Sequence, residues 1–284
     1  MKKLFIVLIL SAFLTPAFCQ EEASGSAAVE STFTTASLID NQTIMTPPKG
    51  GLELQIQHRF SLIESIDNLF GIYGSANTRI GLTYGITDRL SVGLGTTKDY
   101  KLQDLNWKYV ILKQTSDNSM PVSLAYYGNV VAELTEESNF GPTDSFKQMH
   151  RLSYFTQLIV ARKFSEKISL QVAPSMAYYN AVPRYTDTTG YKNMNFGLSV
   201  GGRANLFGNH SLILEYDQLL TRQELDEQPK PNLSLGWEIG TPTHAFQVFV
   251  ANYNLIINQK NLVFNTNDFA KGEFLFGFNI TVRF

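Results

Sequence analysis

The stretch Gly272-Glu273-Phe274-Leu275-Phe276-Gly277-Phe278-Asn279-Ile280-Thr281-Val282-Arg283-Phe284 decides the fold. Phe274, Phe276, Phe278, Ile280, Val282 and Phe284 fall on one side of an extended chain. Glu273, Gly277, Asn279, Thr281 and Arg283 fall on the other. A period of two is the signature of a strand that separates an apolar face from a polar one. Working back from the end, Met194, Phe196, Leu198 and Val200 oppose Asn195, Gly197, Ser199 and Arg203 in the same way. Twelve such segments are expected: 51–60, 77–86, 90–98, 105–113, 122–132, 151–163, 168–179, 193–204, 210–218, 232–240, 244–253 and 272–284.

Alternation alone suits a secreted β-sandwich as well as a barrel. The connections discriminate. Those after even-numbered strands (87–89, 114–121, 164–167, 205–209, 241–243) are short. Those after odd-numbered strands (61–76, 133–150, 180–192, 219–231, 254–271) are long, and only the pair around the fourth strand, 99–104 and 114–121, breaks the rule. Tight turns at one end, long loops at the other and an even strand count describe a transmembrane antiparallel up-and-down β-barrel of the outer-membrane type. The apolar face is nearly free of charge, with Lys98, Lys113 and Arg162 only at strand ends, where long side chains snorkel. Phe60, Tyr84, Tyr126, Tyr178, Trp237 and Phe284 sit near strand ends, as an aromatic girdle requires.

Upstream, Lys2 and Lys3 precede the apolar run Leu4–Leu14, and Ala17-Phe18-Cys19 offers a signal-peptidase site, so residues 1–19 read as a cleaved signal peptide. Phe18 is a poor neighbour for a lipoprotein cysteine. Removing 1–19 removes the one cysteine, which excludes disulfides and Cys-ligated metals from the exported chain. Residues 20–50, rich in Ser, Thr and Ala and closed by Pro47-Pro48-Lys49-Gly50-Gly51, read as a loosely ordered periplasmic segment ahead of a barrel over 51–284. With 23 Lys plus Arg against 25 Asp plus Glu, the net charge of −2 excludes a strongly basic nucleic-acid binder.

Leu38-Ile39-Asp40-Asn41-Gln42-Thr43, Lys49-Gly50-Gly51 and Ile56-Gln57-His58-Arg59-Phe60 resemble a family of uncharacterised outer-membrane β-barrel proteins, a domain of unknown function. Tyr84-Gly85-Ile86-Thr87-Asp88-Arg89-Leu90-Ser91-Val92-Gly93-Leu94-Gly95 and Trp107-Lys108-Tyr109 fit it too. The resemblance implies outer-membrane location and barrel fold, and brings no established activity.

On the polar face, Arg79, Lys108, Arg151 and Arg203 are expected to form one wall of the lumen and Glu53, Glu215, Asp217, Glu238 and Glu273 the other, with Arg59 and Arg283 near the rims. Opposed walls of unlike charge would set a transverse field that orients small polar or charged solutes. Gly197, Gly201 and Gly236 are expected to leave room beside them. A passive channel is therefore expected. The alternative is a non-conducting structural or accessory barrel of an envelope complex, its lumen closed by residues 20–50 or by the unusually apolar loop 61–76. An enzyme is the least favoured reading: His58, His150, His210 and His244 have no Ser on their own strand face within reach, and no cofactor or metal is called for. Membrane lipid, small solutes and a protein of the envelope are the expected partners.

Overall fold

The computed structural model describes residues 27–186 and 188–284. The expected signal peptide, 1–19, lies outside the described residues. From residue 52 onward the chain forms twelve strands: β1 (Leu52–Leu62), β2 (Asn77–Gly85), β3 (Leu90–Thr97), β4 (Leu102–Leu112), β5 (Ser123–Glu133), β6 (Leu152–Lys163), β7 (Ile168–Tyr179), β8 (Met194–Phe207), β9 (His210–Leu219), β10 (Asn232–Gly240), β11 (His244–Ala251) and β12 (Leu275–Arg283). Each pairs antiparallel with its sequence neighbours, and β1 pairs with β12 to close the barrel. Closure satisfies every strand edge, the condition a sheet must meet where no water is available to hydrogen-bond the backbone.

Alternation places the two faces as expected. On β2, Arg79 and Gly81 are buried inside while Ile80, Leu82 and Tyr84 are exposed outside. The outer surface continues through Leu94, Leu105, Leu158, Leu170, Phe246 and Val248 as an apolar band. Aromatic clusters sit at both ends of it. Tyr154 and Tyr178 neighbour each other at the long-loop end, and Trp237 Nε1 donates to His210 Nδ1 at 3.1 Å at the short-turn end. Such rings suit the headgroup level, apolar on the body and polar at the tip. No described helix is long and apolar enough to cross a membrane.

Several boundaries differ from the expectation. The final strand begins at Leu275 rather than at 272, which leaves Glu273 in the preceding loop, and the β8–β9 connection tightens to residues 208–209. The loop between β11 and β12 carries a helix, α1 (Asn258–Phe264), that turns inward. Loop 61–76 stays outside, with Ile66 and Tyr73 among the most exposed apolar side chains, and does not close the lumen.

The larger difference concerns the segment 20–50, expected as a loosely ordered periplasmic lead-in or, in the alternative reading, as what closes the lumen; its described part is 27–50. Residues 27–31 lie along the long inner turn between β4 and β5: Val29 N–H donates to the Gln114 carbonyl at 2.7 Å, and Ala28 bridges Thr115. That contact gives the otherwise anomalous length of this turn a role. The chain then rises into the barrel as a narrow hairpin, bridged between Ser37 and Gln42, with Leu38 N–H donating to the Asn41 carbonyl at 2.9 Å. It returns to the short-turn end, where Lys49 N–H donates to Asp88 Oδ1 at 2.9 Å. Phe33, Leu38, Ile39 and Ile44 are buried against lumen-facing Ile213, Phe155, Tyr127 and Phe249, so the apolar core of the molecule is inside the barrel.

Candidate functional site

The hairpin tip is held by side chains from strands on opposite sides of the lumen. Glu215, on the inner face of β9, accepts three successive backbone N–H groups. Ile39 and Asn41 donate to Oε1 at 2.9 Å each, and Asp40 donates to Oε2 at 3.0 Å. Consecutive amides curled around one carboxylate make an anion nest. Here the nest belongs to the hairpin and the anion to the wall. Asn41 Nδ2 donates to the neighbouring Asp217 Oδ1 at 2.6 Å.

Across the lumen, Asp40 Oδ1 lies 2.8 Å from Arg59 Nη2. Arg59 is fully buried, donates to Asn279 Oδ1 at 2.9 Å and lies 4.4 Å above the Phe249 ring centroid. It was expected near a rim; its pairing with the hairpin draws it inward. Asn279 Nδ2 donates to the Ile39 carbonyl at 2.8 Å. Lower down, Lys108 Nζ donates to the carbonyls of Ala36 and Met45 at 2.6 and 2.8 Å, one from each arm of the hairpin. Gln171 Nε2 donates to the Gln42 carbonyl at 2.9 Å.

The small residues expected to leave an open path instead receive side chains. A Cβ at Gly201 would stand 2.6 Å from Leu38 Cδ1, and one at Gly197 would stand 2.7 Å from Leu262 of α1. Helix α1 rests on the hairpin tip, with Asn258 Nδ2 donating to the Asp40 carbonyl at 3.2 Å and Gln259 bonded to Asn129 and Ser153 of the wall. Between tip and helix there remains a cavity of about 10 Å³, enough for about one water.

The other expected lumen residues are not free to set a transverse field. Arg79 grips Asp104 of β4 in a bidentate pair at 2.7 and 2.9 Å, within what was expected to be an all-basic wall. Arg203 pairs with Glu238 at 3.2 Å, and Glu238 also accepts from Gln247 at 2.8 Å. Glu53 pairs with Arg283 at 3.5 Å. These pairs link neighbouring positions around the wall, as desolvated charges must. Arg151 and Glu273 lie at the long-loop end instead of in the lumen. Arg151 bonds the Glu133 carbonyl at 3.1 Å, and Glu273 accepts the Asp268 N–H. His58 and His244 serve as surface rings, His58 stacking on Phe278 at 5.0 Å and His244 on Phe246 at 6.0 Å.

Above α1, at the long-loop end, the barrel opens into a second cavity of about 390 Å³. Lys260 of α1 pairs with Glu133 at 2.6 Å on its floor and lies 4.4 Å from the Tyr100 ring centroid. Burial, with Glu133 and Asp99 nearby, raises the Tyr100 phenol above its usual range and keeps it protonated. Sequence reasoning missed Asp40, Asp104, Lys260 and Tyr100, all outside the alternating segments or on a face assigned one sign of charge.

A closed barrel with its own N-terminal hairpin inside is thus the arrangement to compare. A family model for a membrane bound beta barrel domain (DUF5777) matches residues 33–284, hairpin included. The chain belongs to this family. None of the curated proteins matches it. Among solved structures it is similar to the NanC porin, with 6% identity and a TM-score of 0.51 over 82% of this chain and 98% of that one. It is also similar to the COG4313 outer membrane channel from Pseudomonas putida F1, with 12% identity and a TM-score of 0.50 over 85% and 98%. At such identities the likeness speaks to the barrel fold alone, and the family match adds the membrane.

Proposed function

We propose that the protein is an outer-membrane channel for small polar or charged solutes, held shut by its N-terminal hairpin. The exported chain would place its short turns and N-terminus in the periplasm and its long loops outside. The observation that carries the reading is the way the hairpin is held. It is not continuous with the barrel sheet; polar and charged side chains of the wall grip its tip through hydrogen bonds and an ion pair. Withdrawal from the short-turn end would leave those same groups lining the lumen, together with the apolar wall residues Tyr127, Phe155, Ile213 and Phe249 that now pack on the hairpin. Twelve strands enclose more space than the eight-stranded barrels that side chains alone can fill. Passage therefore requires the hairpin, and the overlying α1, to move.

The second reading, a non-conducting structural or accessory barrel, is favoured by one observation: α1 caps the hairpin from the other side, so the lumen is filled from both ends. Planar-bilayer recording separates the two. The mature chain is expected to be silent or to open rarely, whereas a chain lacking 20–46, with α1 replaced by a Gly-Ser linker, is expected to give discrete conductance steps. A correctly folded variant that stays silent would leave the structural reading standing and end the channel proposal.

A further inference from the structure

We propose that the outer-mouth cavity is a binding site for a small ring-bearing carboxylate. The proposal goes beyond the channel reading, since neither a conducting nor a structural barrel requires a ligand at the mouth.

At about 390 Å³ the cavity is of a size to hold one small molecule. Its wall carries Lys260 and Arg151 against the single carboxylate of Glu133, which leaves one positive charge in excess. Both cations keep donors in reserve. Glu133 occupies one of the three N–H groups of Lys260. Arg151 spends Nε on Gln148 and Nη1 on the carbonyls of Glu133 and Thr135, while its Nη2 donates to no described residue. Its guanidinium packs against the side of the Phe140–Phe146 ring pair, 5.4 and 5.0 Å from the centroids.

The rest of the lining is aromatic. Tyr100 and Tyr185 stand at the rim, 45% and 66% exposed, where a flat ligand can stack on them. Tyr100 and Lys101 both adopt left-handed backbone, at φ of 61° and 49°, a conformation that residues other than glycine rarely take, and the Tyr100 ring lies over Lys260. Tyr179 also lines the cavity. Its ring is 95% buried, being 5% exposed, and its hydroxyl has no hydrogen-bond partner among the described residues. A buried hydroxyl is ordinarily satisfied. Excess positive charge, spare charged donors and stacking rings together select an anion that carries a ring, and a carboxylate on a sugar or on an aromatic ring presents that chemistry.

Isothermal titration of the full mature protein in detergent tests this with four probes: benzoate and glucuronate, and their neutral counterparts benzyl alcohol and glucose. One or both acids are expected to bind at one site per chain, with the neutral counterparts at least about tenfold weaker. Which acid binds tells an aromatic ligand from a sugar acid. Lys260→Met and Arg151→Gln are each expected to weaken acid binding by about tenfold or more while keeping the heat-modifiable migration of a folded barrel. Tyr100→Ala, at an exposed rim position, supplies the same test should Lys260→Met not fold. The proposal is overturned if neither acid saturates the protein, if the neutral probes bind equally well, or if folded variants keep full affinity.

Discussion

Asp40 and Arg59 form a 2.8 Å ion pair with no solvent exposure on the arginine and almost none on the aspartate, one partner on the hairpin and the other on the wall. Breaking a buried pair from one side leaves an uncompensated charge, at a cost of about 3–5 kcal/mol. Asp40→Asn is therefore expected to loosen the hairpin, because the buried Arg59 charge then has only neutral partners, the new amide oxygen, Asn279, the His58 carbonyl and the Phe249 face. Limited proteolysis of the folded barrel reads this directly: cleavage within 27–50 should accelerate while the strands stay protected. The double substitution Asp40→Asn with Arg59→Met removes both charges and should slow cleavage again relative to Asp40→Asn alone. Equal cleavage of wild type and Asp40→Asn would show that the pair does not hold the hairpin.

Glu215 offers a second grip, with different chemistry. Its two oxygens serve three amides and the Tyr253 hydroxyl, which donates at 3.3 Å. Glu215→Gln keeps the shape but replaces one acceptor oxygen with an NH₂ group that faces amide donors. A hydrogen bond to a charged group contributes about 1.5–3 kcal/mol, so the loss should localise to the tip. Hydrogen exchange is the suitable measurement. The amides of Ile39, Asp40 and Asn41 are expected to exchange faster in Glu215→Gln, while amides of β9 and β10 remain as slow as in the parent.

How much of this could be read beforehand follows from what alternation encodes. A strand writes its two faces into every second residue, so the Phe274 to Phe284 pattern marks the strand and its two faces, and the connection lengths point to a barrel and hence to the apolar face as the lipid side. The hairpin has no such period. Its strand character is limited to a single bridge, and its residues Thr32, Thr35, Ser37, Asn41 and Thr43 are polar yet buried, so composition suggested a solvated segment. One signal was present all the same. Tyr127, Phe155, Ile159, Ile213 and Phe249 lie on the face assigned to a water-filled lumen, and large apolar side chains there are explained only by something apolar packing on them. Charge pairing was hidden for a related reason: Asp104 stands across β3 from Gly81, and Arg79, two residues along β2, reaches it over Gly95, a proximity set by register rather than by sequence distance.

Packing of the tip gives a third prediction. Gly201 leaves the space that Leu38 fills, and a Cβ there would overlap Leu38 Cδ1 at 2.6 Å. Overpacking a well-filled core costs about 1–3 kcal/mol. Gly201→Val should thus expel Leu38 and raise protease access to the hairpin, and Leu38→Ala alone should do so by leaving a cavity. Combined, the larger wall residue and the smaller tip residue should fit better than either single change predicts. A double-mutant cycle on hairpin proteolysis should give a coupling of about 0.5–3 kcal/mol. Strict additivity would mean that the two side chains do not meet.

The lipid-facing band supplies a test that bears on the membrane and not on the hairpin. Leu94, 62% exposed, stands mid-strand on β3 between Leu82 of β2 and Leu105 of β4. An arginine at the bilayer midplane of a barrel costs about 2–4 kcal/mol. Leu94→Arg is accordingly expected to reduce folding into lipid vesicles by that amount. Val92→Arg, two residues nearer the short-turn end on the same face, should cost less because its guanidinium can reach the headgroups. In water the order would disappear, since an arginine in place of an exposed leucine is then nearly neutral. Equal folding yields for Leu94→Arg and the parent in vesicles would remove the lipid contact on which the placement of the barrel depends, while leaving the hairpin predictions untouched.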